Sequence, residues 1–310
     1  MGITHLDDVT AVDRSVGHLQ GRWTSLGEPA GSVTVGVRRI EVADGGWSTP
    51  VHDHGAAEEI FYVLGGRGVL WHDGRTAEIR GGDTIVCLAG AGGHTLYGRE
   101  SLDVLAFGPR GLDSSIRFPR LGLSGIGNRF AESVAQEPGA LPFQYLRESA
   151  LGPPELPEPG PRPSTIVNLD DVEPVTVERP IVARTRHNLG VAAGSIATGL
   201  QHVTVVPGRA SAPAHCHSLE EEIFVVLDGE GTLRLDAQEL PVRAGHVVSR
   251  PAGTGVSHVF LAGPSGLTFL AYGTRERGDV CYYPRSRKVR LSGVGVYLRA
   301  EALDYWDGED

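Results

Sequence analysis

The chain has 310 residues, room for two domains of about 150 that can each bury a core. Its net charge of −10 argues against a broad electrostatic grip on nucleic acid or anionic lipid, and no run reaches the roughly eighteen apolar residues of a membrane span. Three cysteines, Cys87, Cys216 and Cys281, with no CxxC pair, describe neither a disulfide framework nor a structural zinc site.

In chain order, the first segment, Met1 to Asp8, has no basic start and no apolar core of signal-peptide length, so a reducing, cytoplasmic setting is expected. Glu59-Ile60-Phe61-Tyr62-Val63-Leu64 is rich in β-branched and aromatic residues and reads as a strand ending at Gly65-Gly66. Val69-Leu70-Trp71-His72 follows and runs into Asp73-Gly74, a two-residue hairpin signal. A short helix is expected over Asn128 to Gln136. From Pro138 to Pro163, the run Gly152-Pro153-Pro154-Glu155-Leu156-Pro157 and its continuation read as an extended linker. Beyond it, Glu222 to Leu227 ends at Asp228-Gly229, and Thr232 to Leu235 precedes Asp236. The tail alternates at Val294-Gly295-Val296-Tyr297-Leu298 and is expected to add a strand to a neighbour or close a barrel. Many short strands with little helix indicate an all-β chain, an antiparallel barrel or sandwich.

The chain also repeats itself. Leu6-Asp7-Asp8-Val9 recurs as Leu169-Asp170-Asp171-Val172, 163 positions on. His52 and His54 recur as His215 and His217, Glu59-Ile60-Phe61 as Glu222-Ile223-Phe224, and Gly66 and Gly82 as Gly229 and Gly245, at the same displacement. It drifts to 164 between His94 and His258, and to 165 between Leu105 and Leu270. Two copies of one domain are therefore expected, at residues 1–137 and 164–310, joined by the linker at 138–163.

Side chains two apart on a strand share a face, so His52 and His54 can reach one ion, as can His215 and His217. Glu59 opens the next strand after a short connection, and His94 arrives after a glycine-rich turn. The second copy offers His215, His217, Glu222 and His258 in the same order. A lone histidine in a strand is usually a core residue; four donors at matched spacing, found twice, point to metal. Three imidazoles and one carboxylate suit Mn, Fe, Co, Ni, Cu or Zn, up to two ions per chain. Glu58, Glu220 and Glu221 are rival carboxylates; the spacing selects Glu59 and Glu222, and the rivals are expected to face solvent. Cys216, between two donors, is expected to point into the barrel wall.

These residues carry a family resemblance. Gly46, five residues, His52-x-His54, four residues, Glu59, six residues and Gly66 resembles the first motif of the cupin superfamily, and Gly82-Asp83 through His94 is similar to the second. Gly245, Pro251-x-Gly253 and His258 match the second motif in the C-terminal copy. Leu88 departs from it, standing where the motif has proline. The resemblance implies a bicupin, two tandem double-stranded β-helix (jelly-roll) barrels with a metal inside each.

Alternation from Glu59 places Phe61 and Val63 inward, with Leu96 following from His94. Phe224, Val226 and Phe260 are the second-copy equivalents, so apolar substrate pockets are expected. Of the matched pairs Arg38/Gln201 and Arg39/His202, one member each should face inward; Arg39 and Gln201 stand as polar pocket candidates. The resemblance leaves three functions open. The first is an Fe(II)- or Mn(II)-dependent dioxygenase or other oxidoreductase acting on a small polar or aromatic metabolite, with Glu59 or Glu222 as ligand and occasional base. The second is a redox-neutral hydrolase, decarboxylase or isomerase of the ureide-processing kind, and the third a non-catalytic binding cupin. The more regular C-terminal motif is the expected catalytic one. A small-molecule substrate and a homodimer are expected, and neither nucleic acid nor membrane as partner.

Overall fold

Residues from Glu59 onward alternate between two destinations, and the architecture follows from that. In the computed structural model, which describes residues 2–110, 115–126, 129–130 and 142–309, Phe61 and Val63 enter the interior of the first barrel while Ile60 and Tyr62 enter a second apolar core outside it. A strand buried on both faces reads as a continuous apolar run, as this one does. The same division separates Phe224 and Val226 from Ile223 and Val225 in the second copy.

Each half is a barrel made of one large and one small antiparallel sheet. In the first half the large sheet runs Ile166–Asn168, Asp83–Cys87, Glu59–His72, His94–Pro109, Val35–Val42, Gly21–Ser25, Val12–Asp13, with Arg75–Arg80 beside Glu59–His72. The small sheet begins with Asp53–His54 and continues through Ser115–Phe118, Leu123–Ile126 and Arg129–Phe130. The second half repeats this with Glu222–Leu235 and His258–Thr274 central in the large sheet and Cys216–His217 opening the small one. The tail strand Val296–Arg299 pairs with Lys288–Leu291 at the far edge of that small sheet. No helix among the described residues is long and apolar enough to cross a membrane.

The barrels exchange edge strands, which the division at 137 and 164 does not anticipate. Gly2–His5 pairs with His246–Arg250 of the second barrel, and Ile166–Asn168 pairs with Asp83–Cys87 of the first. Each exchanged strand covers an edge that would otherwise present unpaired backbone groups. Asp83, fully buried, accepts from Asn168 Nδ2 at 2.7 Å and Arg162 Nη2 at 2.6 Å, which locks one exchange.

The outer faces of the two large sheets pack on each other, with Phe107 and Tyr272 stacked at 5.2 Å. Two carboxylates cross this seam in opposite directions. Glu58 accepts from the backbone N–H groups of Ile196 (2.6 Å), Ala197 (3.0 Å) and Thr198 (3.1 Å), and from Ser195 Oγ at 2.7 Å. Glu221 accepts from the N–H groups of Val33 (2.8 Å) and Thr34 (2.5 Å) and from Thr34 Oγ1. The expectation that these glutamates face solvent is therefore corrected: they are 4% and 1% exposed. Burial alone would push the Glu58 carboxyl up, but these donors outweigh it and hold the pKa below the ordinary value.

Two local expectations also change. The strand does not end at Gly65-Gly66: Glu59–His72 runs through with register shifts, and Gly66 supplies a bend at φ +76° where a Cβ would stand 2.2 Å from the Ser101 carbonyl. The hairpin at Asp73-Gly74 is as expected, both residues having positive φ. The linker is not extended throughout. Phe143–Leu151, free of proline, forms a helix that buries Tyr145 and Glu148 and pairs Glu148 with Arg120. After it the chain lies as a strap, with Trp71 Nε1 donating to the Glu155 carbonyl at 2.9 Å and Thr76 Oγ1 to that of Pro157 at 3.0 Å. The helix expected over 128–136 lies largely outside the described residues; Arg129–Phe130 within it is a strand.

Glu58→Ala should leave the N–H groups of Ile196, Ala197 and Thr198, the last of them buried, without their acceptor and lower stability by about 3 kcal/mol, measured as a shift of the denaturant midpoint. His202, half-buried at the seam near Tyr62, has its pKa drawn down to about 4 by burial and by His187. Between about 4 and the ordinary value of 6.5 the unfolded chain binds a proton that the folded one excludes, so stability falls as pH drops through that window. His202→Gln should flatten the pH dependence of the thermal midpoint between pH 7 and pH 4.

Candidate metal centres

The first and last donors of each cluster are tied by backbone hydrogen bonds. His52 and His94 exchange N–H and C=O at 3.2 and 2.8 Å, and His215 and His258 do so at 3.3 and 2.8 Å. The turn before His94, one residue shorter than that before His258, is absorbed upstream and leaves this pairing intact. Leu88, at the motif's proline position, packs against the seam. Glu59 enters from the central strand opposite Cys87, and Glu222 from its equivalent opposite Arg250. His52 donates Nδ1–H to the Pro50 carbonyl at 3.0 Å and His215 to that of Pro213 at 2.8 Å, so Nε2 of each faces its cluster.

The spacings fit one ion per cluster. Glu59 Oε2 lies 2.9, 3.4 and 3.6 Å from Nε2 of His94, His52 and His54. Glu222 Oε2 lies 3.1 and 3.7 Å from Nε2 of His258 and His217, and His215 completes that group. Donors about 2.1 Å from a shared ion, at angles between octahedral and tetrahedral, stand about 3.0–3.4 Å apart. Among the described residues Glu222 Oε2 is buried without a hydrogen-bond partner, as is His94 Nδ1. A buried carboxylate oxygen facing imidazoles but unpaired with them fits a coordination site better than a hydrogen-bonded core.

The imidazoles of each cluster keep its carboxylate ionised. Burial would push the Glu59 carboxyl up, but His52, His54 and His94 hold it well below the ordinary range; Glu222 is lowered in the same manner. Burial pulls His94 down, and takes His215 to about 4 with the help of His258. His217 goes the other way, to about 10: burial lowers it, but Cys281, Glu222 and Asp279 raise it more.

The two centres differ in access. Beside His54 and Glu59 opens a cavity of about 110 Å³ that Ser25, Arg38 and Arg110 also line. Beside His217, Glu222 and His258 the space is about 10 Å³, room for one water, lined also by Cys216 and Arg250.

Several expected pocket residues are placed elsewhere. Arg39 faces outward and forms a two-pronged pair with Asp103 at 2.7–3.1 Å. The register explains the error: Arg38, not Arg39, shares a face with Ile40 and Val42 of the interior. By the same parity Gln201 shares the inward face with Val203 and Val205. Phe61, Val63, Leu96, Phe224, Val226 and Phe260 are packed core under the donors rather than lining of either cavity. Phe61 and Phe224 do touch the clusters, 5.9 and 5.5 Å from the rings of His94 and His258.

The sequence reading missed four groups: Arg38 as the inward arginine, Asp279 and Cys281 beside His217, and Tyr283 stacked on His215 at 5.7 Å. The recurrence of Phe118-Pro119-Arg120 as Tyr283-Pro284-Arg285 would have marked the strand Val280–Tyr283, which carries Cys281 and Tyr283 and which Asp279 immediately precedes.

Several known proteins are similar to this chain. The family model "Cupin domain" matches twice, at residues 38–105 and 201–265. A Lactobacillus farciminis oxalate decarboxylase in complex with formate superposes with a TM-score of 0.58 at 15% identity, over 89% of this chain and 86% of that one. Bacillus subtilis oxalate decarboxylase, in a study of its Mn(II) centres, gives 0.57 at 15%, over 90% and 79%. A sugar phosphate isomerase of the cupin superfamily from Silicibacter pomeroyi gives 0.40 at 26%, over 45% of this chain and 96% of its own. No curated protein sequence matches.

Protein prepared without added metal or tag should carry close to two transition-metal ions per chain by elemental mass spectrometry. His54→Ala and His217→Ala should each lower that to about one. Less than a tenth of an equivalent after reconstitution would contradict the assignment of these clusters.

Proposed function

We propose that this chain, a member of the cupin family with two cupin domains, is a metal-dependent enzyme whose N-terminal centre acts on a small carboxylate. The observation that carries the reading is Arg38. Its side chain lines the 110 Å³ cavity beside His54 and Glu59, and its guanidinium lies over the Trp23 ring at 5.6 Å and makes no hydrogen bond or ion pair among the described residues. Burial lowers its pKa, and Glu59 offsets part of that, so it remains a cation at neutral pH. A fixed cation next to a donor cluster recognises an anion that also reaches the metal. Arg110 lines the same cavity but is engaged by Ser32 Oγ at 3.2 Å and Glu28 at 3.6 Å.

A bound Mn(II) or Fe(II) would supply Lewis-acid or one-electron chemistry. The chain's own residues do the rest. His52, His54, His94 and Glu59 hold the ion, Arg38 orients the carboxylate, and the packed floor of Phe61, Val63 and Leu96 keeps water out from below. Within this reading, breaking a bond next to the carboxylate, by decarboxylation or isomerisation, fits the space: the cavity suits an acid of a few heavy atoms. The oxalate decarboxylases that share the fold act on such an acid, and they lend support to that choice. The dioxygenase reading keeps one specific support, the apolar wall of Phe61 against His94, which suits dioxygen. The C-terminal centre, though more regular in sequence, has too little open space for a substrate.

The test is a panel of small mono- and dicarboxylates with Mn(II)- and Fe(II)-loaded protein, read in parallel for carbon dioxide release and oxygen uptake. Turnover without oxygen uptake supports the redox-neutral reading, whereas stoichiometric uptake moves the assignment to the dioxygenase. Arg38→Ala should weaken carboxylate binding at least tenfold, with Arg39→Ala close to wild type. Equal carboxylate affinity in Arg38→Ala and wild type would refute the proposal.

A further inference from the structure

We propose that Asp279 is a positioning residue that makes the C-terminal centre the more tenacious of the two metal sites, so that the chain retains one ion under conditions that strip the other. This rests on the reading that both clusters hold metal. His217 donates Nδ1–H to Asp279 Oδ2 at 2.8 Å. Asp279 is 1% exposed and cannot swing away. Its Oδ1 accepts from the Leu219 N–H at 3.0 Å and Ser218 Oγ at 3.2 Å, and Ser292 Oγ reaches Oδ2 at 3.3 Å. A carboxylate held behind a ligand imidazole fixes its tautomer and ring direction and makes the other nitrogen a better donor; removing such a partner typically lowers metal affinity 10- to 100-fold.

Two more groups gather at the same imidazole. Glu220 Oε2 lies 3.5 Å from His217 Nδ1, and Cys281, opposite His217 in the strand pairing, brings its sulfur within 4.8 Å of donor nitrogens of His215 and His217. Among the described residues the first barrel shows no such set. The residues at the matching sequence positions are Ser114, Ala57 and Ile116, none of them charged. Among the described residues His54 makes no hydrogen bond through Nδ1. Access adds to the difference, since the C-terminal centre opens onto about 10 Å³ and the N-terminal one onto about 110 Å³. The structure thus divides the labour of a duplicated site: one ion is held behind a carboxylate and closed off, and the other is exchangeable beside a cavity.

The experiment loads the full-length chain with Mn(II) and dialyses it stepwise against a chelator, counting metal per chain by elemental mass spectrometry. The wild type should pass through a plateau near one ion. His54→Ala should keep its single ion across the plateau, and His217→Ala should lose its ion at the first step. Asp279→Asn should release the plateau ion at 10- to 100-fold lower chelator concentration with the N-terminal ion unaffected, and Asp279→Glu should recover part of the difference. Simultaneous loss of both ions from the wild type, or a plateau ion assigned to the N-terminal centre, overturns the inference. So does an unchanged plateau in Asp279→Asn. The wild-type and histidine-variant data decide the matter even if an Asp279 variant does not fold. A loaded wild type that binds no Mn(II) at all would instead refute the underlying reading that the clusters are metal sites.

Discussion

Two adjacent glutamates, pointing to opposite sides of one backbone, hold this molecule together. Glu59 turns into the first barrel and meets three imidazoles, while Glu58 turns out and receives the backbone N–H groups of Ile196, Ala197 and Thr198 from the second. Glu222 and Glu221 do the same in reverse. Because successive side chains of an extended segment alternate, the register that places the metal carboxylate also places the inter-barrel one. A one-residue slip would turn Ile60 and Tyr62 into the barrel and Phe61 and Val63 out to the seam, and would take both carboxylates from their partners. The strand pairing is therefore over-determined from both faces, and the donor clusters inherit that rigidity.

The same logic explains why the halves do not behave as beads on a string. The exchanged edge strands, the seam core and the crossed carboxylates all link the barrels, so disturbing one should be felt by the other. The proline-rich segment adds to this. Its helix buries Tyr145 near Trp23 and its strap is pinned to Trp71 and Thr76, so it is part of the first barrel's wall.

Duplication gave two copies of one donor set, and the surroundings of each copy have since diverged. The N-terminal centre carries Arg38 and an open cavity. The C-terminal one carries Asp279, Cys281 and Arg250, the last 4% exposed with Nε and Nη1 unpaired beside the donors. Differences of this kind arise outside the motif.

What the sequence determined by itself was whatever depends on spacing along the chain. The duplication, the all-β architecture, the eight donors and the Asp73-Gly74 turn are all written in local periodicity and in the constant offset between copies. What only the tertiary structure decided depends on residues far apart in sequence. Choosing Arg38 over Arg39 required knowing which parity faced the interior, and both parities carry an arginine there. The roles of Glu58 and Glu221 required a partner barrel whose N–H groups lie more than a hundred residues away in sequence. The edge-strand exchange leaves no local trace, because a strand's hydrogen-bonding groups are the same whichever barrel they pair with. Spacing fixes which side chains can converge. Long-range packing fixes what surrounds them, and here the surroundings separate one centre from the other.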